Sequence, residues 1–143
     1  MKYQYYIASR WRNKDTVMEL TEKLKAKGKT VFCFMDPDTT DYALYKKERE
    51  HSPEEWMQHV EALPDWQNNK DLKEILKIDH DALRESENLI LLLPAGKSAH
   101  LDAGMAHGLG KKCILIGEQK EAEIAYMIFS EFYDSINKFI DAL

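Results

Sequence analysis

Apolar residues in this chain fall into short continuous runs and into stripes that recur every three or four positions, and the two kinds alternate. Tyr3 to Ala8 is the first run, and Val17, Leu20 and Leu24 then recur at helical spacing until Lys27-Gly28, a helix stop. Thr30 to Phe34 is a second run, β-branched and aromatic, that ends near Met35-Asp36-Pro37. A strand, helix, strand opening of this kind folds by right-handed crossover into a parallel pair. Leu72, Ile75, Leu76 and Leu83 mark another helix, leading into Leu89 to Leu93, a continuous apolar run of the sort buried on both faces of a parallel sheet. Pro94-Ala95-Gly96-Lys97-Ser98 breaks that strand. Ala99 to Leu109 reads as a helix with Gly108 and Gly110 near its end, and Cys113 to Ile116 as a fourth strand. A short helix near Glu121 to Met127 and a fifth strand at Phe129 to Tyr133 follow. A last helix is capped by Asp134-Ser135 and striped by Ile136, Phe139, Ile140 and Leu143.

This alternation predicts an α/β fold: a three-layer Rossmann-like or flavodoxin-like domain around a central, mostly parallel sheet of four to five strands. Residues 1–143 are expected to form a single domain, since that length suits one core. The pattern weakens only at about residues 38–69, which read as an insertion or flap, with Ser52-Pro53-Glu54-Glu55 as a helix start and Leu63-Pro64-Asp65 as a break. Ligands in such sheets bind at the carboxyl ends of the strands. Two of those ends carry polar clusters, the loop after Ala8 and the loop after Leu93.

Composition narrows the candidates. A net charge of -5 argues against a nucleic-acid polymer as partner, because such binding neutralises many phosphates with Lys and Arg. No run approaches the roughly 20 apolar residues of a membrane span, and Arg10, Arg12 and Lys14 follow the first apolar run instead of preceding it, as they would in a secretion signal. A cytoplasmic protein without a membrane partner is the expectation. Cys33 and Cys113 each fall within a strand-like run, without the paired spacing of a zinc or redox site, and read as buried thiols.

The chemistry concentrates after the third strand. Gly96, Lys97 and Ser98 directly precede a helix, so backbone N–H groups, the helix dipole and a lysine all become available to one anion. The turn also fits Ser98 as a plain N-cap, and it is not a Walker motif, since the required first glycine falls at Leu91. Asp102 fits a dipole partner in the first turns of the helix. The small residues Ala103, Gly104 and Ala106 beside it suggest instead a pocket approached closely by a ligand or another backbone. His100 and His107, seven apart, share a face, but no further ligands stand at matching spacing and no metal is expected. In the first loop Ser9, Arg10, Trp11 and Arg12 offer a second set of anion donors with an aromatic among them. Tyr5 and Tyr6 point to opposite faces of their strand.

Three stretches together resemble the nucleoside 2-deoxyribosyltransferase superfamily, including members that act as deoxynucleoside monophosphate N-glycosidases. They are Tyr6-Ile7-Ala8-Ser9-Arg10, the Asp79 helix running into Leu89 to Pro94, and Ser98-Ala99-His100-Leu101-Asp102-Ala103-Gly104-Met105-Ala106. The most specific part is the carboxylate-x-Gly-x-Ala pattern of Asp102 to Ala106, followed by Gly110-Lys111-Lys112. The resemblance implies that Asp102 attacks the anomeric carbon of a nucleoside or nucleotide, with Tyr6 beside it and Asp79 protonating or orienting the base. It implies that Gly96, Lys97 and Ser98 hold a phosphate. It also implies that no cofactor is needed, and that a homodimer or higher homo-oligomer forms in which residues near 127–131 of a neighbour complete the site. Two departures stand out: the family's nucleophile is a glutamate, one methylene longer than Asp102, and the base-orienting aspartate six residues before it falls at Gly96. Hydrolysis of a phosphorylated substrate fits the second departure better than base exchange between free nucleosides. A nucleotide-binding sensor without turnover and an NAD-type glycohydrolase remain the alternatives.

Overall fold

The computed structural model describes residues 1–39 and 52–143. Its centre is a sheet of five strands, all parallel: β1 (Tyr3–Ala8), β2 (Val31–Cys33), β3 (Ser86–Leu92), β4 (Lys112–Ile116) and β5 (Glu131–Tyr133). Their spatial order is β2-β1-β3-β4-β5. After β1 the chain moves outward to β2, then crosses back to place β3 on the other side of β1. The loops leaving β1 and β3 therefore diverge, and a crevice opens between them, as expected where the strand order reverses. The register sets Tyr6 opposite Leu89 and Ala8 opposite Leu91.

The continuous apolar runs are the interior. Leu89 to Leu92 and Cys113 to Ile116 are all buried, as are Tyr6 to Ala8 and Val31 to Cys33. Helix α1 (Lys14–Ala26) covers the sheet with Val17, Leu20, Thr21 and Leu24, and stops at Gly28, whose φ of 73° lies in the left-handed region that glycine adopts without strain. Helix α2 (Pro53–Glu61) starts where the sequence signals it: the Ser52 hydroxyl accepts from the Glu55 N–H at 3.2 Å, with Pro53 in the first turn. It ends before Leu63-Pro64-Asp65, where Asp65 takes a φ of 51°. Of the expected insertion, residues 40–51 lie outside the described residues.

Helix α3 (Lys70–Arg84) is capped by the Asn69 side chain, which accepts from the Leu72 N–H at 3.1 Å. Helix α4 (Lys97–Gly108) follows β3, and α5 (Ile136–Asp141) is capped by Ser135. Asp134 pairs instead with Lys138 at 2.9 Å. Three expected boundaries move. The third strand begins at Ser86, because Ser86 to Asn88 already belong to the parallel ladder. The segment before the last strand is a 3-10 helix over Ile124–Ile128, and the fifth strand is confined to Glu131–Tyr133.

Candidate active site

Helix α4 supplies the central residue. It packs on β1, β3 and β4 through Ala99, Ala103 and Ala106, spaced four and three apart and all buried. Of the two close approaches expected of the small residues, Ala103 and Ala106 meet the one to another backbone, lying against the sheet, while a Cβ on Gly104 would meet nothing within 4 Å. Their effect is indirect, since a helix with an alanine face sits close to the strands and carries Asp102, one position before Ala103, toward the carboxyl end of β1.

There the Tyr6 hydroxyl donates to Asp102 Oδ2 at 3.0 Å. Tyr6 is itself 2% exposed, stacked on Phe32 at 5.2 Å with 15° between the rings, so its hydroxyl is delivered by a fixed ring. On the other side of the carboxylate, His80 Nε2 from α3 lies 3.7 Å from Asp102 Oδ1. Burial pushes the Asp102 carboxyl above its ordinary value, while the Tyr6 hydrogen bond and the positive charge available to His80 pull it down. The carboxylate is thus partly desolvated, gripped on one oxygen and faced by an imidazole on the other.

Asp102 and Tyr6 open into a cavity of about 220 Å³, just below the size range of about 300–1,000 Å³ usual for ligand pockets. Asp79 and Ser98 line its polar end. Its other wall is apolar and comes from two helices: Trp56, Met57 and Val60 of α2, and Leu72 and Ile75 of α3. Leu72, Ile75 and Asp79 lie three and four residues apart, one stripe of an amphipathic helix that ends in a carboxylate at the cavity.

The residues expected in the site divide into those the fold brings together and those it does not. Asp102, Tyr6, Asp79, Ser9, Trp11 and Ser98 all line the cavity. Ser9 has a structural contact as well, its hydroxyl donating to the Leu92 carbonyl at 2.9 Å and so tying the end of β1 to β3. Trp11 is half-buried, its ring edge-on to Phe34 at 5.3 Å. Arg12 points toward the insertion helix, donating from Nε to Glu54 at 2.6 Å and from one terminal nitrogen to Glu54 at 3.1 Å and Glu61 at 3.3 Å. Arg10 is exposed, and neither arginine lines the cavity.

Gly96 and Lys97 also stand outside the lining, at the entrance to α4. The N-cap of that helix is Gly96, so Ser98 is not the cap but the second helical residue, exposed at the cavity edge. His100 faces the opposite way from Asp102. Its Nδ1 donates to the Gly96 carbonyl at 2.7 Å, which in the neutral ring leaves Nε2 to accept from the Tyr126 hydroxyl at 2.6 Å. His107 is exposed in the last turn, and among the described residues no three His, Cys, Asp or Glu side chains group as a metal site would need.

The sequence pattern does not mark His80, and it does not single out Met57 or Val60 of the apolar wall. The signal for the wall was present, since Trp56 and Val60 are four apart behind a capping serine, although the segment is rich in charge. His80 sits directly after Asp79, but only the packing of α3 against α4 brings it to Asp102.

No protein-family model and no curated protein matches the chain. Solved structures do match in three dimensions, two of them as follows. One is a 2-deoxyribosyltransferase from the psychrotolerant bacterium Bacillus psychrosaccharolyticus, with a TM-score of 0.65 at 15% identity, covering 96% of this chain and 90% of the other. The other is the CMP N-glycosidase BcmB of Clostridium botulinum, with a TM-score of 0.53 at 18% identity, covering 96% of both chains. From end to end, the chain is built on the fold shared by a 2-deoxyribosyltransferase and a CMP N-glycosidase.

Proposed function

We propose that the protein cleaves or transfers the N-glycosidic bond of a nucleoside or nucleoside monophosphate, with Asp102 as nucleophile. The observation that carries this reading is the Asp102 carboxylate, half-buried at the wall of a cavity and held by the Tyr6 hydroxyl at 3.0 Å. Two enzymes of N-glycosidic chemistry with the same fold support it.

A carboxylate oxygen attacks the anomeric carbon of the sugar, forming an ester bond. The bond from that carbon to the base breaks, and its electron pair leaves on the base nitrogen, which takes a proton. Asp79, on the same cavity, is placed to supply that proton or to orient the base. Water, or a second base, then attacks the same carbon and releases the Asp102 carboxylate, the double displacement of retaining glycosidases. The hydroxyl of Tyr6 keeps the carboxylate aimed through both steps. A 5′-phosphate fits the start of α4, where Gly96, Lys97 and Ser98 present backbone N–H groups and an ammonium. The apolar wall of Trp56, Met57 and Val60 suits the flat face of a base.

The test is direct. Incubation with a panel of nucleosides and their monophosphates, followed by chromatography for free base, is expected to show release that disappears in Asp102→Ala. Release from none of them, or release undiminished in that variant, refutes the reading. The second reading, a binding module without turnover, is favoured by the aspartate where the resembled family carries a glutamate, since a displacement of about 1 Å can cost on the order of a hundredfold in rate. Saturable binding of one panel member with no base released in either wild type or Asp102→Glu would establish it.

A further inference from the structure

We propose that His80 is a positioning residue for the Asp102 carboxylate, forming with Tyr6 a two-sided clamp that fixes which oxygen faces the substrate. The proposal rests on the reading of Asp102 as a nucleophile, and it adds a residue that neither the sequence pattern nor the resemblance marks.

The geometry is specific. Tyr6 reaches Oδ2 from β1, below the helix, while His80 Nε2 reaches toward Oδ1 from α3, beside it. A carboxylate on a short side chain can swing about its Cβ–Cγ bond, and a single hydrogen bond to one oxygen leaves the other free to move. A second group on Oδ1 removes that freedom. At 3.7 Å the imidazole is beyond hydrogen-bond length, so its hold is chiefly electrostatic and is strongest when the ring is protonated. Burial makes that hold count: the His80 side chain is 29% exposed and that of Asp102 16%, which limits the water that would screen the pair.

Among the described residues, three titratable groups face Asp102 or share its cavity: Tyr6 from β1, and Asp79 and His80 from α3. Of these only His80 can bring a positive charge. It also explains how an aspartate performs in this position. A shorter nucleophile has less reach, so its productive orientation has to be held more tightly, and two contacts from two different elements do so.

The experiment uses the intact chain and two variants, His80→Gln and Asp102→Asn, with two independent readouts. In NMR titrations the Asp102 carboxyl, identified by the signal lost in Asp102→Asn, is expected to titrate at higher pH in His80→Gln than in wild type, because the charge that favours its ionised form is gone. In base-release assays His80→Gln is expected to lose about five- to tenfold in kcat with little change in KM, and its acid limb is expected to move to higher pH. A substitution that only loosened packing would lower the melting temperature without moving that limb. An Asp102 titration unchanged in His80→Gln overturns the clamp. If wild type releases no base from any substrate, the glycosidase reading fails, while the Asp102 titration still decides whether the pair exists.

Discussion

Removing the Tyr6 hydroxyl while keeping its ring isolates what that group does for Asp102. Tyr6→Phe leaves the stack on Phe32 in place, so the buried packing is conserved while the 3.0 Å hydrogen bond to Oδ2 is lost. A hydrogen bond to a charged group is worth about 1.5–3 kcal/mol. Expressed wholly in holding the nucleophile, that corresponds to roughly a 10- to 150-fold fall in kcat/KM. The pH dependence follows from the same bond. Burial raises the Asp102 carboxyl, and the Tyr6 hydroxyl opposes it by stabilising the ionised form. Without the hydroxyl the carboxyl titrates higher still, and the acid limb of kcat/KM moves up in pH. Stability changes in the matching direction. Since the folded-state carboxyl titrates above its unfolded value, ionising it costs stability as pH rises through the folded pKa, and costs nothing below the unfolded value of about 3.9. Tyr6→Phe enlarges that cost, so it should lower the melting temperature more at pH 7 than near pH 3. Base release measured from pH 4 to 9, with thermal melts near pH 3 and at pH 7, tests each part. An acid limb in the same place as that of wild type would refute the assignment.

Other substitutions probe the surroundings of the site. Trp56→Ala removes the one buried residue of the insertion helix from the cavity wall, and should raise KM about tenfold or more in steady-state assays while changing kcat less. Gly117→Ala would put a Cβ 2.7 Å from that of Leu93 at a φ of 124°, a clash and a backbone strain together. A loss of about 2 kcal/mol or more is expected, seen as a melting temperature lowered by roughly 5 °C or more. Burial pushes the Cys113 thiol up to about 11. Its alkylation at pH 8 should be about two-hundredfold slower in the native protein than for a free thiol, and unfolding in denaturant should restore it. Equal rates in the two states would show the thiol to be accessible.

The sheet was legible because its strands are apolar on both faces. Leu89 to Leu93 and Cys113 to Ile116 admit few other readings once helical stripes flank them, and the caps at Ser52, Asn69 and Ser135 obey local rules. The five-stranded outline could be read for the same reason. Ends were less legible: Ser86, Glu87 and Asn88 are polar, and only pairing with neighbouring strands makes them β. Within the site, Asp102 stood out by its place in the first turns of a helix, and Tyr6 through the family resemblance. What pattern could not supply was direction across the fold. Arg12 reads as an anion donor in a loop, but the charges that meet it, Glu54 and Glu61, lie 42 and 49 positions further along. His80 likewise acquires its partner only when two helices pack side by side. The small residues after Asp102 were informative through their close approach to another backbone, since they set the height of a helix above the sheet.

The pairing of Tyr6 with Leu89 and of Tyr5 with Asn88 has a consequence that is one of parity. Adjacent tyrosines on one strand face opposite worlds: Tyr6 stacks on Phe32 and ends at Asp102, whereas Tyr5 lies edge-on to Phe139 of the last helix at 5.9 Å. Slipping β1 by a single position would send every side chain to the other face. The sheet would still be apolar, and the helices would still find greasy surfaces to cover. A slip that set Ile7 in the place of Tyr6 would replace the phenol that touches Asp102 with an aliphatic end. Whether this protein has a gripped carboxylate is therefore decided by an odd or even count along a six-residue strand.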